Sequence, residues 1–333
     1  MKAFILKRYG RKEKLELAET AEPVLKEHDV LVRIHAAGVN LLDSKIRNGE
    51  FKMILPYKPP FTLGHDVAGV IIKVGSKVSK FKTGDEVYAR PADHRIGTFA
   101  EFISINEDDA ALKPKNISIE EAASIPLVGL TAWQALIEKA DLKKGQKIFI
   151  QAGSGGVGTF AIQLAKHLGA TVATTTSAVN IDLVKSLGAD IVIDYRKDDF
   201  ETILKDYDVV LNSQDTKTLE KSLRVLKPGG KVISISGPPD PDFGKQINAN
   251  WFLKIILKFL SAGIRKKAKR HGVNFSFLFM RAQGEQLHQI TKLIESGVIK
   301  PVIDKVFSFE QTNEALSYVE MGRAKGKVVI RIQ

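Results

Sequence analysis

The chain has no cysteine. Disulfides, thiolate nucleophiles and cysteine-ligated zinc are therefore excluded, and with them a secreted disulfide scaffold. A cytoplasmic address is the simplest expectation. Long apolar runs are missing too. A membrane-spanning helix needs ~18 or more uninterrupted apolar residues. The nearest stretch, Trp251–Leu260, is short and interrupted by Lys254 and Lys258. The early apolar run Ala3–Leu6 is too short for the hydrophobic region of a signal peptide. Internal repeats and low-complexity segments are absent. Carboxylates are the minority charge: 38 Asp+Glu against 50 Lys+Arg give a formal charge of +12. That balance favours anionic ligands, whether phosphates, RNA or acidic membrane surfaces, without choosing among them.

What is present is ordinary globular material. The 333 residues are 44% hydrophobic and 26% charged, enough for about two domains of roughly 100–200 residues each. The first ~120 residues read as β-rich. Val30–Ile34 and Val67–Val74 carry strand patterns, separated by turn signals such as Val74-Gly75-Ser76 and Thr83-Gly84-Asp85. Near Ile117 the texture changes, and Ser118 followed by Glu121 predicts a capping box opening a helix. From Gln146 strands and helices alternate. The strands are predicted at Lys147–Gln151, Ala170–Thr175, Ile191–Tyr195, Asp208–Asn212 and Lys231–Ser236. Alternation of this kind implies a parallel sheet with right-handed crossovers. Gly284–Ser296 reads as a helix and Lys327–Ile332 as a last strand. That strand has no place in the parallel sheet, so it is expected to return to the first module.

The sharpest local signal is Gly153-Ser154-Gly155-Gly156-Val157-Gly158. It fits the dinucleotide fingerprint and stands in the required setting, after the apolar strand Ile148-Phe149-Ile150 and before a helical pattern, Val157–Leu168. Gly153 is expected to permit a tight turn. Gly155 lets backbone approach a pyrophosphate, and Gly158 lets helix pack on strand. The helix N-terminus then offers free N–H groups and a positive dipole end. An NAD site usually places a carboxylate at the end of the second strand. Here that strand ends Thr174-Thr175-Thr176-Ser177. Ser177 and Asn180 can donate to a 2′-phosphate, with Tyr195 covering the adenosine, so NADPH is expected. No Arg or Lys lies in 176–181; Lys185 and Arg196 stand further off.

These residues, with others along the chain, resemble the medium-chain dehydrogenase/reductase superfamily, in its zinc-independent quinone oxidoreductase and enone (alkenal) reductase branch. The matching stretches are Ala36–Asn40 with Asp43, Thr62–Val74, Gly84–Tyr88, Gly129–Trp133, Gly153–Gly158, Lys185–Asp190, Leu226–Lys231 and Gly326–Val329, in the family's order. The resemblance implies an α/β chain. A GroES-like β-rich catalytic domain, 1–122 completed by 269–333, would join a Rossmann domain with a doubly wound parallel sheet, 123–268. The cofactor would lie in the cleft between them.

Zinc members of the superfamily carry Cys and His where this chain has Asn40 and Leu41. His65-Asp66 alone supplies too few ligands for tetrahedral zinc, so no metal is expected. A structural role, holding a turn, suits Gly64-His65-Asp66 better. Without a metal, conjugated acceptors are the accessible substrates, since hydride adds to the β-carbon and the enolate is protonated at the α-carbon. By the resemblance, Asn40 and Thr131 would lie near the nicotinamide, and Ser236-Gly237 beside its ribose. Phe277–Met280, including Phe279, would form a nearby loop, and Lys327 would stand close to the cofactor. Lys45 would contact cofactor or substrate; its ammonium can stabilise an enolate. Tyr57, Tyr88 and His94 are proton-donor candidates by chemistry, with Tyr57 taken first. A homodimer is a family expectation.

Trp251–Gly272 joins an apolar stretch to a basic cluster: Arg265, Lys266, Lys267, Lys269 and Arg270, then His271. It raises an alternative function, a non-catalytic NADPH-binding protein that binds RNA or an acidic membrane surface through 265–271. The bland reading is a solvated face. The reductase reading expects a quinone or an enone as partner, no nucleic acid and no transmembrane segment; peripheral membrane contact stays open.

Overall fold

The computed structural model describes residues 1–333. The chain divides into two compact units, Met1–Leu130 with Arg281–Gln333, and Thr131–Met280. No helix is long and apolar enough to cross a membrane.

In the first unit the strand Asp29–Val39 is the organising element. Its eleven residues are almost wholly buried. It pairs antiparallel with Val67–Val74, Phe102–Asn106 and the late strand Lys327–Arg331. Register shifts between Leu31 and Val32, and between Ile34 and Ala36, bend it so that it can serve several partners. The sheet continues through Glu86–Ala89 to Ala110–Leu112 on one side and to Ile303–Ser308 on the other. Val30, Val32, Ile34, Val67, Ile71 and Val87 fill its core. The predicted return of the chain end is therefore present, with Val329 opposite Gly38. Ser118 caps the helix Ile119–Ala123 in a reciprocal box with Glu121, as its sequence spacing implied.

The second unit holds a six-stranded parallel sheet. Its order is Ile191–Asp194, Thr171–Thr176, Lys147–Ile150, Tyr207–Asn212, Leu226–Ser234 and Asn274–Phe277. Strand order reverses beside Lys147–Ile150, which is where doubly wound sheets open a crevice beyond their carboxyl ends. Five strands match those read from sequence. The sixth, Asn274–Phe277, was not read. It pairs with Leu226–Ser234, Val232 facing Phe275, and this carries the unit to Met280 rather than to the expected 268. The first boundary likewise falls at 130/131 rather than 122/123. Phe149, Val210, Val232 and Ile193 form the core, closed by Ile264, Ala268 and Val273.

Candidate functional site

The strand Lys147–Ile150 runs into the glycine loop, and the helix Gly156–His167 leaves it. The turn is made by Ala152, whose φ of 51 lies in the left-handed region. A non-glycine residue held there stores strain of the kind found at binding loops. Gly153 therefore serves differently from the expected turn-former. A Cβ there would sit 2.1 Å from Thr174 Oγ1, so it allows the loop to lie against the neighbouring strand. At Gly158 a Cβ would meet Ala152 O at 2.4 Å and Gly153 Cα at 2.7 Å, so only glycine lets the helix start this close to the loop. Gly155 is unlike both. Its backbone is extended, φ −81 and ψ 173, and an added Cβ would meet only Ala152 O, at 3.4 Å. The fold asks for no glycine there, and the missing side chain leaves an open cradle. No side chain caps the helix, so the first-turn N–H groups at Gly156, Val157 and Gly158 remain for an anion. The residues present fit a dinucleotide pyrophosphate.

At the end of the adjacent strand the expected hydroxyls converge. Thr176 Oγ1 donates to Ser154 Oγ at 3.0 Å, and Asn180 Nδ2 donates to the same oxygen at 3.2 Å and to Ser177 Oγ at 3.3 Å. Ser177 and Asn180 are 8% and 9% exposed. Asn180 Oδ1 is buried with no hydrogen-bond partner, so the group retains binding capacity. Tyr195 follows the next strand and is exposed, with the Arg196 guanidinium 5.9 Å from its ring centroid. Asp194 stands in register with Thr176 and accepts from Arg196 N; it was not singled out in the sequence.

Sequence reasoning also missed a buried polar chain across the central strand ends. Gln151 Nε2 donates to Ser222 Oγ at 2.6 Å, Asn212 Nδ2 to Gln151 Oε1 at 2.7 Å, and Ser234 Oγ to Asn212 Oδ1 at 2.7 Å. Ser234 Oγ in turn receives Gly237 N at 2.8 Å. The network fixes the turn that carries Ser236 and Gly237. Polar residues closing three apolar strands were its only signal. Ser236 lies beyond the strand, which ends at Ser234, and donates to Gln214 O. Phe279 is 9% exposed and packs on Phe243 with centroids 5.4 Å apart; Phe277 packs on the same ring. Thr131 is buried at the start of this unit.

The first unit contains its own polar core. Lys327 Nζ donates to Asn40 Oδ1, to Val39 O at 3.1 Å and to Asp66 Oδ2 at 3.0 Å. Asn40 Nδ2 donates to the same carboxylate oxygen at 2.9 Å, and Leu127 N to Asp66 Oδ1 at 2.7 Å. His65 Nδ1 donates to Asp43 Oδ1 at 2.5 Å, while Asp43 Oδ2 receives Asn40 N at 2.8 Å. These carboxylates are fully buried. His65 and Asp66 thus face internal partners, and no three His, Cys, Asp or Glu side chains converge on one point. Asn40 and Lys327, each expected near the cofactor, meet in a direct hydrogen bond. Lys45 lies on the helix Leu41–Arg47 and is half-buried.

Tyr57 is half-buried, stacked on Phe61 at 5.1 Å and 5.5 Å from the His94 ring. His94 has a φ of 65 and donates its N–H to Tyr57 Oη at 3.4 Å. Burial pushes the Tyr57 phenol up to about 12, so it keeps its proton at neutral pH. Tyr88 is fully buried, and its hydroxyl donates to Leu287 O at 2.7 Å. It is a packing residue of the strand Glu86–Ala89.

A doubly wound sheet that opens a glycine loop onto a helix N-terminus has the architecture of a dinucleotide-binding unit; a β-rich unit built from both chain ends completes the chain. Residues 26–115 match the family model described as alcohol dehydrogenase GroES-like domain, and 187–330 the one described as zinc-binding dehydrogenase. The chain is 40% identical to the 2-methylene-furan-3-one reductase of Solanum lycopersicum, over 99% of its own length and 79% of that protein's. It is 37% identical, with the same coverage, to an NADPH-dependent alkenal/one oxidoreductase, chloroplastic, of Arabidopsis thaliana. Among solved structures, the quinone oxidoreductase from Coxiella burnetii superposes with a TM-score of 0.88 at 30% identity, covering 100% of this chain and 99% of the other. The chain belongs to the medium-chain dehydrogenase/reductase superfamily, in its quinone oxidoreductase and enone reductase branch.

Proposed function

We propose that the chain is a metal-independent, NADPH-dependent reductase of quinones or of the C=C bond of α,β-unsaturated carbonyls. Its likeness along almost its whole length to the furanone reductase carries this reading. The glycine loop and the N-terminus of Gly156–His167 hold the pyrophosphate. Ser154, Ser177 and Asn180 bind the 2′-phosphate end, and Tyr195 covers the adenosine. Asn40, Thr131, Ser236, Gly237, Phe279 and Lys327 serve the nicotinamide half. When bound, NADPH supplies a hydride. Lys45 stabilises the negative charge that develops on the acceptor oxygen. Tyr57 delivers the proton to the α-carbon of an enone. A cytoplasmic address and a homodimer, testable by light scattering, belong to the same proposal.

The test is NADPH consumption with a benzoquinone, a short enal, an enone and a saturated ketone, each with an NADH control. Turnover of the conjugated acceptors but not the ketone is expected. Failure with all conjugated acceptors despite NADPH binding would sink the reading and favour the non-catalytic alternative.

Two substitutions probe its parts. Ser177→Asp sets a carboxylate against the 2′-phosphate. NADPH affinity is expected to fall about 10-fold or more relative to NADH; equal losses would displace the phosphate from this end of the sheet. Tyr57→Phe removes the proposed proton while keeping the ring. The expected result with an enone is about a 100-fold loss in kcat, with KM for NADPH unchanged. Because the phenol is held up to about 12, the parent profile should show no loss from this group below about pH 10. An unchanged kcat assigns protonation to water.

A further inference from the structure

The segment the reductase reading leaves unused forms two helices, Trp251–Leu260 and Ala262–Arg270. Ser261 ends the first helix and opens the second, φ −91 and ψ −3, and its hydroxyl donates to Leu257 O at 2.9 Å. At about 100° per residue, Trp251, Phe252, Ile255 and Phe259 share one face of the first helix, and Lys266, Lys269 and Arg270 share one face of the second. Leu257, Ile264 and Ala268 fall on the other side and are buried.

Both faces are exposed. Trp251 and Phe259 are each 74% exposed, an uncommon state for two large apolar side chains on one face of a helix. Lys266, Lys269 and Arg270 are exposed and make no ion pair, whereas Lys267, off that face, pairs with Glu220 at 2.5 Å. No acidic residue occurs between Asp242 and Glu285. Beside the second helix lies a groove of about 360 Å³ lined by Arg265, Lys269, Asn274 and Phe275. Arg265 Nε is buried there without a partner.

We propose that this helix pair is a docking surface for an anionic lipid membrane. The aromatic and aliphatic stripe enters the headgroup–acyl boundary, while the cations beyond it and the Arg265–Lys269 groove bind lipid phosphates and carboxylates. Charge complementarity selects this occupant. A second copy laid face to face would set unpaired cations against unpaired cations. An RNA strand would answer the cations and stack on the rings, but it leaves the aliphatic Ile255 and Leu260 in water.

The test is flotation of the full chain with phosphatidylcholine vesicles, with and without phosphatidylserine. Binding is expected only with phosphatidylserine and should weaken about 10-fold or more from low to physiological salt. The triple variant Lys266→Glu, Lys269→Glu, Arg270→Glu should lose at least as much, with circular dichroism and NADPH binding as controls of folding. A blue shift of tryptophan emission on adding vesicles should vanish in Trp251→Phe, which leaves Trp133 as the only tryptophan. Three results would overturn the proposal. One is no binding to phosphatidylserine vesicles at low salt. Another is a dimer that Phe259→Ser converts to monomer with vesicle binding unchanged, which gives the face to a second copy. The third is tight binding of a polyuridine oligonucleotide without binding of vesicles.

Discussion

Gly155→Val should fold with a melting temperature within about 2 °C of the parent and bind NADPH at least about 100-fold more weakly. The expectation rests on a contrast among three glycines of one loop. At Gly155 an extended backbone accepts any side chain, and the only atom near an added Cβ is Ala152 O at 3.4 Å. The isopropyl group therefore projects into the cradle rather than into the protein. It would occupy the space where a pyrophosphate meets the N–H groups of the first helical turn. Gly158→Ala should behave in the opposite way. Its Cβ would be driven to 2.4 Å from Ala152 O, costing about 2 kcal/mol or more as loop and helix separate. Calorimetry and NADPH titration on both variants separate the roles. An unchanged dissociation constant in folded Gly155→Val would remove the cofactor from this loop.

Lys327→Met should lower stability by about 3–5 kcal/mol, read from the urea midpoint. Lys327 is 5% exposed and is the cation partner of Asp66, which is fully buried. Methionine fills much of the same volume but leaves that carboxylate with Asn40 Nδ2 and Leu127 N only. The cost is that of stranding a buried charge, not that of a cavity. Adding Asp66→Asn to Lys327→Met should therefore recover part of the loss, with a coupling of about 1 kcal/mol or more in the double-mutant cycle. Equal stability of Lys327→Met and the parent would show that the carboxylate needs no cation.

These two experiments probe regions that differed in how plainly the sequence announced them. The glycine loop was legible because a phosphate cradle is made of neighbours: strand, turn and helix start within a dozen residues, each constrained by local backbone geometry. The parallel strands were legible for a related reason. Strands buried on both faces read as continuous apolar runs, as Lys147–Ile150 and Tyr207–Asn212 do. Asn274–Phe277 escaped because its alternation runs over only four residues, and only pairing with Leu226–Ser234 makes them a strand.

Local chemistry, then, settled the class of fold, the strand–loop–helix form of the glycine segment and the exclusion of cysteine-based sites, since each depends on residue type and short spacing. Long-range partners were beyond it. Lys327 and Asp66 are separated by 261 positions, and nothing in either neighbourhood names the other. Their meeting requires Lys327–Arg331 to pair with Asp29–Val39 and Asp66 to lead into the strand on its far side. The same holds for Gln151, Asn212 and Ser234, which become one hydrogen-bonded chain only when three strands end at the same level. A buried polar group must find a partner, but which one it finds is fixed by the packing of distant segments.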